Sequence, residues 1–363
     1  MANMQDVARL AQVSVSTVSY VLTGARPISA ATREKVRAAM AELGYQPHAM
    51  ARGLASRRSR ILGLLLPIDE RGLGATETAF VTGAATAASA AGYHLVLSPV
   101  DAGDLDGLRQ LASQRMLDGV LLMEVQLDDP RVGVLRSAGV PVVLIGRTAD
   151  TTGLSYVDID FDRTVHDAVG YLADLGHRRI VYVNHSATAI AEGYGPALRS
   201  RDAFATATAG RRIEPVMIPA EDSPGGGRAA LASAFDRAPD LTAVLAMNES
   251  AVFGILGGLA AHGRTVPDDV SVVSMVTSPQ VAELATPALT TMTSPGTAVG
   301  RIAVEQLLRH LGAGSTDSAG STGSTDSAEI HQQLLPCTLE VRGSTGPPPT
   351  LTPAPTGRRS AHP

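Results

Sequence analysis

The chain has no tryptophan, one cysteine and a single lysine (Lys35) against 29 arginines, and only 3% of its residues are aromatic. The lone thiol, Cys337, excludes an internal disulfide and fits a reducing cytoplasm; its expected role is that of a small buried hydrophobe. No apolar run approaches the roughly 18 residues a membrane span needs. The opening "MANMQDVARLAQ" lacks the basic region and apolar core of a secretory signal, so a cytoplasmic location is expected. The nine histidines show no metal-ligand spacing and no nucleophile–base pair stands out. No metal, cofactor or catalytic residue is therefore expected. What is present is 44% hydrophobic content spread over 363 residues, enough for two or three domains with sizeable cores.

Charge is distributed unevenly. Residues 1–60 carry a net +6, while the rest of the chain carries −11. A basic head on an acidic body implies that the head meets a polyanion and the body does not.

The head reads as three short helices: "MQDVARLA" (4–11), the stretch "SVSTVSYVLTG" (14–24) with Ser14 as its cap, and "AATREKVRAAMAELG" capped by Ser29 and stopped at Gly44. In the second of these, Val15, Val18, Val21 and Leu22 recur at the spacing of one buried face. The remaining positions before Gly24 are hydroxyls, without a single acid. A helix, a tight turn and a second helix with a small polar outer face form the layout of a helix-turn-helix, whose second helix enters the major groove. Ser16, Thr17, Ser19 and Tyr20 are small or hydrogen-bonding enough to approach base edges, and none of them repels phosphate.

From Ile61 the pattern changes to short apolar runs alternating with helical stretches. "ILGLLLP", "YHLVLSPV", "DGVLLMEV", "VPVVLIGR", "SYVDID", "RIVYVNH", "TAVLAMN" and "VSVVSMV" read as strands. Near-continuous apolar strands separated by helices imply parallel sheets covered on both faces, and eight such units point to two lobes. The expected fold is thus an all-α helix-turn-helix head on a two-lobed α/β core. The boundaries are a head at 1–46, a hinge at 47–60, a core at 61–345 and a disordered Pro-rich tail at 346–363. Within the core, the first lobe takes about 61–160 and 291–311, the second about 161–290 and 330–345, and the Ser/Thr/Gly-rich segment 312–329 is a flexible loop.

"MQDVARLAQVSVSTVSYVLTG…ISAATREKVRAAMAELGYQPHAMARGLASRRSRILGLLLP" closely resembles the N-terminal signature of the lac repressor (LacI/GalR) family. The likeness continues through "RMLDGVLLM", "GVPVVLIGR", "YLADLGHRRIVYV", "VPDDVSVVSM", "PALTTM" and "LEVRGST", to about residue 345. The resemblance implies a dimeric or tetrameric transcription regulator with a helix-turn-helix head, a hinge helix and a core like that of periplasmic binding proteins, which itself matches the architecture read from the strands. It places Val15, Ser16, Thr17 and Ser19 against bases and phosphates. Tyr20 and Thr23 stand where the family usually has Arg and Asn, so the operator sequence is expected to differ. Leu54 matches the hinge leucine that wedges into the minor groove, and Arg57 and Arg58 beside it suit phosphate contacts. The hinge is too short, and too weakened by Gly53, to be stable alone, so residues 48–56 are expected to order only when two subunits meet on DNA.

For the core, the resemblance implies a small-molecule effector between the lobes, near the ends of parallel strands. Asp160, Asn248 and Glu249 match positions of the family's pocket, Arg199 and Arg201 flank its arginine, and Arg147 follows a first-lobe strand. The same Asp160 and Asn248, at strand ends, are also candidates for capping the next helix. Val276 stands where an aspartate is usual, which weakens the expectation of a typical polyhydroxyl ligand. The expected function is a repressor, homodimeric by the shortness of its tail, that reads a pseudo-palindromic double-stranded operator and answers to a sugar or sugar derivative. A solute-binding protein or an α/β enzyme could share the core, but the first needs a signal peptide and no basic head, and the second a convergent catalytic group.

Overall fold

The computed structural model describes residues 2–23, 26–45, 59–68, 72–313 and 329–349. The head holds three helices, α1 (Met4–Leu10), α2 (Val15–Thr23) and α3 (Ala30–Glu42). Each start is capped by a side chain that satisfies amides with no partner inside the helix. The Asn3 Oδ1 accepts from the amides of Gln5 and Asp6, Ser14 Oγ from Thr17 at 3.1 Å, and Ser29 Oγ from Thr32 at 3.2 Å. Gly44, at φ +59°, ends α3 in a conformation that suits a residue without Cβ. Val7, Ala8, Ala11, Val18, Val36 and Ala39 form the head's small core, with Val21 and Leu22 packed on it. Val15 departs from the expected buried face: as the first residue of α2 it lies outside this cluster and is 42% exposed.

The core contains two six-stranded sheets. The first has the order β11-β5-β4-β3-β1-β2, formed by β1 (Ile61–Leu66), β2 (His94–Pro99), β3 (Gly119–Leu122), β4 (Val142–Ile145), β5 (Ser155–Ile159) and β11 (Gln332–Leu335). It is parallel throughout. The second has the order β12-β10-β9-β8-β6-β7, formed by β6 (Arg179–Asn184), β7 (Glu214–Pro219), β8 (Ala243–Ala246), β9 (Ser271–Thr277), β10 (Thr290–Thr293) and β12 (Thr338–Glu340). Only β12 runs antiparallel to its neighbour. Helices cover both sheets: α4 (Ala75–Ala90), α5 (Leu105–Ser113), α6 (Pro130–Ser137) and α13 (Gly296–Ala313) in the first lobe, and α7 (Phe161–Asp174), α8 (Ala187–Ala191), α9 (Gly195–Thr208), α10 (Pro224–Arg237), α11 (Glu249–Ala261) and α12 (Pro279–Glu283) in the second. Because the central strands are buried on both faces, they read as uninterrupted apolar runs; β3, β4 and β8 are buried at every position. Where α4 crosses α13 the backbones touch: a Cβ on Gly300 would lie 1.9 Å from the Phe80 carbonyl oxygen, so only glycine fits.

The chain passes between the lobes three times, after β5, after β10 and after β11. This places two segments differently from the sequence reading. Residues 332–335, assigned there to the second lobe, pair with β5 in the first sheet, and residues 291–293 belong to the second sheet. The cause is the final passage of the core, in which two short edge strands, β11 and β12, finish different sheets. Gly346, assigned to the disordered tail, is tied to the second sheet: its carbonyl accepts from Ser271 Oγ at 2.9 Å, and its amide donates back to the same hydroxyl at 3.0 Å. Gly312 and Ala313, assigned to the flexible loop, continue α13. Residues 314–328 and 350–363 lie outside the described residues. Cys337 is buried, and desolvation pushes its thiol up to about 12.

Candidate functional site

The α2 helix carries no charged residue in either its first or its last turn. Ser16 is exposed, while Thr17, Ser19 and Tyr20 are partly so, which leaves a polar face opposite the one anchored by Val18. The Thr17 hydroxyl lies 2.8 Å from Ser14 Oγ, so the helix cap also orients it. Arg26, in the loop after α2, sets its guanidinium 5.3 Å from the centroid of the Tyr20 ring. Thr23 is the last residue of α2. Leu54, Arg57 and Arg58 lie outside the described residues. The chain re-enters the described region at an anchor: the Asp118 carboxylate accepts from the Ser59 amide at 2.7 Å, the Ser59 hydroxyl at 2.9 Å and the Arg60 amide at 2.9 Å.

Between the lobes lies a cavity of about 410 Å³, walled by residues of both. It sits at the ends of parallel strands, where open α/β sheets leave a crevice. Its edges are held together by bonds between lobes. Thr76 Oγ1 donates to the Val276 carbonyl at 2.7 Å, and the Ala75 amide at the start of α4 donates to Glu249 Oε2 at 3.2 Å. On another side, the Leu127 amide donates to the Gly193 carbonyl and the Gly195 amide to the Val125 carbonyl.

The lining is acidic. Glu77, Glu124, Asp158, Asp222 and Glu249 all face the cavity, with His185, Tyr194 and Asn248 as further polar groups and Phe80, Phe161 and Met247 among the apolar ones. Desolvation pushes the Glu124 carboxyl up to about 7, reinforced by the charge of Glu77 and opposed by a hydrogen bond from Tyr194. Burial likewise raises Glu77 and Glu249, and holds His185 down at about 4, so its imidazole is neutral near pH 7. Asp158 is 4% exposed and is pushed up to about 6 by desolvation, against the pull of Arg199 and Arg147. Those two guanidiniums stand 3.8 and 3.6 Å from Asp158 Oδ2, beyond hydrogen-bond reach. Among the described residues, no group of three or more His, Cys, Asp or Glu is placed to hold a metal.

The expected effector residues divide into three groups. Asn248 and Glu249 line the cavity. The Asn248 side chain also caps α11, accepting from the Ala251 amide at 3.0 Å, so its carbonyl oxygen does structural work. Arg147 and Arg199 do not line the cavity; they back its wall by flanking Asp158, and Arg199 donates to the Arg147 carbonyl at 2.6 Å. Asp160 caps α7 through the Arg163 amide at 3.0 Å, and Arg201 is 42% exposed and ion-paired with Asp202; neither reaches the cavity. Val276 does line it, with φ +49°, an uncommon conformation for a β-branched residue. Sequence reasoning missed Glu77, Glu124, Asp158, Tyr194 and Asp222. Asp158 was within reach, because in "DID" residue 158 lies inside a strand buried at every position, whereas residue 160 follows the strand and caps the next helix. The others sit in loops or on a helix start and carry no local signature.

Residues 3–48 match the bacterial regulatory proteins of the lacI family, and residues 169–345 match the periplasmic binding protein-like domain. The HTH-type transcriptional regulator CelR of Thermobifida fusca is 35% identical over 309 residues, which cover 82% of this chain and 88% of that one. The solved complex of the transcriptional regulator CelR with cellobiose superimposes with a TM-score of 0.69 at 30% identity, covering 95% of this chain and all of the other. The lac repressor dimer bound to operator and an anti-inducer shares the fold, with a TM-score of 0.78 at 24% identity over 95% of this chain and 99% of that one. Agreement with CelR across most of both chains, in head and core alike, makes this chain a member of the lacI family of bacterial regulatory proteins and a DNA-binding transcriptional regulator.

Proposed function

We propose that the protein is a cytoplasmic repressor that binds a pseudo-palindromic operator as a homodimer and changes its operator affinity when a sugar or sugar derivative enters the cleft between the lobes. The observation that carries this reading is the cavity itself. It is walled by both lobes and its rim bonds, from Thr76 to Val276 and from Ala75 to Glu249, join one lobe to the other. A ligand with different affinities for two lobe arrangements shifts the balance between them, and the linker anchored at Asp118 carries that shift toward the head. The cellobiose held by CelR supports a saccharide as the ligand class. An exposed apolar edge strand, β2, with Val96 and Leu97 at 45% and 38% exposure, supports association through the first lobe.

In the head, Val15, Ser16, Thr17, Ser19, Tyr20 and Thr23 read the major groove, Leu54 wedges into the minor groove, and Arg57 and Arg58 grip phosphate. Two-fold symmetry of the dimer imposes two-fold symmetry on the site. Gel-shift titration of the full chain against genomic fragments, with and without saccharides, tests the reading. Retarded fragments that share an inverted repeat support it. Failure to retard any fragment at low salt, with or without ligand, contradicts it.

A further inference from the structure

Asp158 and Arg199 face each other across the boundary between the lobes. Asp158 belongs to β5 of the first sheet and lines the cleft, while Arg199 stands on α9 of the second lobe. The two side chains are 4% and 14% exposed. One end of the guanidinium is already committed to the first lobe, with Nη2 donating to the carbonyls of Arg147 at 2.6 Å and Thr148 at 3.3 Å. The other end, Nη1, has no hydrogen-bond partner among the described residues, and neither has Asp158 Oδ2. These two atoms are 3.8 Å apart. A buried donor and a buried acceptor of opposite charge, each lacking a hydrogen bond, therefore lie about 1 Å beyond the length of a charge-assisted one.

The groups around the pair leave this gap open. Asp158 Oδ1 is taken by the Ile159 amide at 2.8 Å. Arg147, the other cation beside Oδ2, stands off at 3.6 Å, with its guanidinium 5.9 Å from the centroid of the Tyr156 ring. Gly195, one turn before Arg199, gives the guanidinium its room: a Cβ there would lie 2.5 Å from Nη1 and 2.9 Å from the Val125 carbonyl oxygen. Desolvation raises the Asp158 carboxyl only to about 6, because both arginines oppose it, so it is ionised near pH 7 and attracts Arg199 across the gap.

We propose that Arg199 and Asp158 form a latch between the lobes: a ligand that draws the two cleft walls together closes the gap between Nη1 and Oδ2, and the hydrogen-bonded ion pair so made holds the occupied arrangement. This rests on the reading of the cleft as the effector site and states how its occupancy is passed from one lobe to the other. Hinged lobes close around a ligand that touches both, and here a movement of about 1 Å is enough. The ligand also covers Asp158 in the cavity wall, and excluding water there strengthens the pair. A contact made in only one of two lobe arrangements gives those arrangements different affinities for the ligand.

Isothermal titration of the full chain with cellobiose, maltose, glucose and ribose selects the tightest-binding probe, which is then titrated into Asp158→Asn, Arg199→Gln and the double variant. A dissociation constant compares occupied with empty protein, so a contact equally strong in both cancels. Only a contact that tightens with the ligand leaves the two substitutions non-additive. Each single substitution is expected to weaken binding about tenfold, and the double variant also about tenfold instead of about a hundredfold. Where Arg199→Gln does not fold, Arg199→Lys takes its place, keeping the charge without the planar fork, and a coupling of about threefold or more is expected. Losses that multiply, or single losses under about twofold, overturn the latch. A Val276→Trp variant, which fills the cleft, separates this failure from that of the effector-site reading. If Val276→Trp blocks the probe and the losses multiply, the latch alone falls. If none of the four saccharides binds the wild type, or the probe binds Val276→Trp as tightly, the effector-site reading falls and the latch with it.

Discussion

The Arg26 guanidinium lies over the Tyr20 ring, 5.3 Å from its centroid, beside the polar face of α2. A cation–π contact of this kind is worth about 0.5–1 kcal/mol at an exposed site, enough to bias where a mobile arginine points. In the proposed DNA-reading role of this helix, Tyr20 serves as a platform that holds an arginine from the following loop. Arg26→Ala should weaken binding to operator and random duplex alike and lower the salt slope by about 1. Tyr20→Phe keeps the platform and should keep the slope while altering base preference. Anisotropy titrations at several salt concentrations check both; an unchanged slope in Arg26→Ala would remove Arg26 from the phosphate contacts.

Glu124 makes stability depend on pH. Its folded carboxyl is pushed up to about 7, above the unfolded value of 4.5, so the folded chain binds the extra proton between those values. The associated stabilisation is present below pH 4.5 and is lost as pH rises through about 7. His185, held down at about 4 from 6.5, has the opposite sign, but its contribution is complete by pH 6.5. His177 and His310 are also lowered and are likewise complete there. Above that point the melting temperature should fall on going toward pH 8, and Glu124→Gln should flatten the decline. A melting temperature that rises across this interval contradicts the placement of Glu124 in a desolvated acidic wall.

Arg131 is fully buried, donating to Asp129 and to the carbonyls of Val100, Met123 and Glu124. These bonds hold the end of β3, where Glu124 adopts φ +53°. Asp129→Ala leaves the guanidinium uncompensated and should cost about 3–5 kcal/mol, measured by urea unfolding. A loss under about 1 kcal/mol would mean that water reaches this pair after all.

Asp118 collects three donors from Ser59 and Arg60, the first described residues after the linker. Removing them with Asp118→Ala should lower stability by about 1–3 kcal/mol and reduce the operator affinity of the full chain about tenfold or more. Stability loss with unchanged operator affinity would show that the anchor serves the core alone.

The head was legible because its signals are local. Cap residues Ser14 and Ser29 and the valines at helical spacing are each interpreted within a few residues. The central strands were legible because burial on both faces leaves only apolar side chains. Of the strands that escaped, β10, β11 and β12 have only three or four residues, and all four, β7 included, carry polar or proline residues. In β10, Thr290 and Thr291 are fully buried, and their hydroxyls are satisfied by groups such as Thr345 and Thr293, tens of residues away in the first case. The cleft was half legible. Asn248 and Glu249 follow a strand end, whereas Glu77, Glu124 and Asp222 come together only because two lobes close on one another. No spacing in the sequence announces such a meeting. The gathering of carboxylates at the cleft was therefore visible only in three dimensions.

The central claim is that occupancy of the cleft sets the affinity of the head for DNA. Its most direct test is the operator affinity of the full chain with and without a saturating cleft ligand, in the wild type and in Val276→Trp. The account predicts a change of about tenfold or more in the wild type, in either direction, and none in the variant. A ligand that binds the cleft and leaves operator affinity untouched would contradict it.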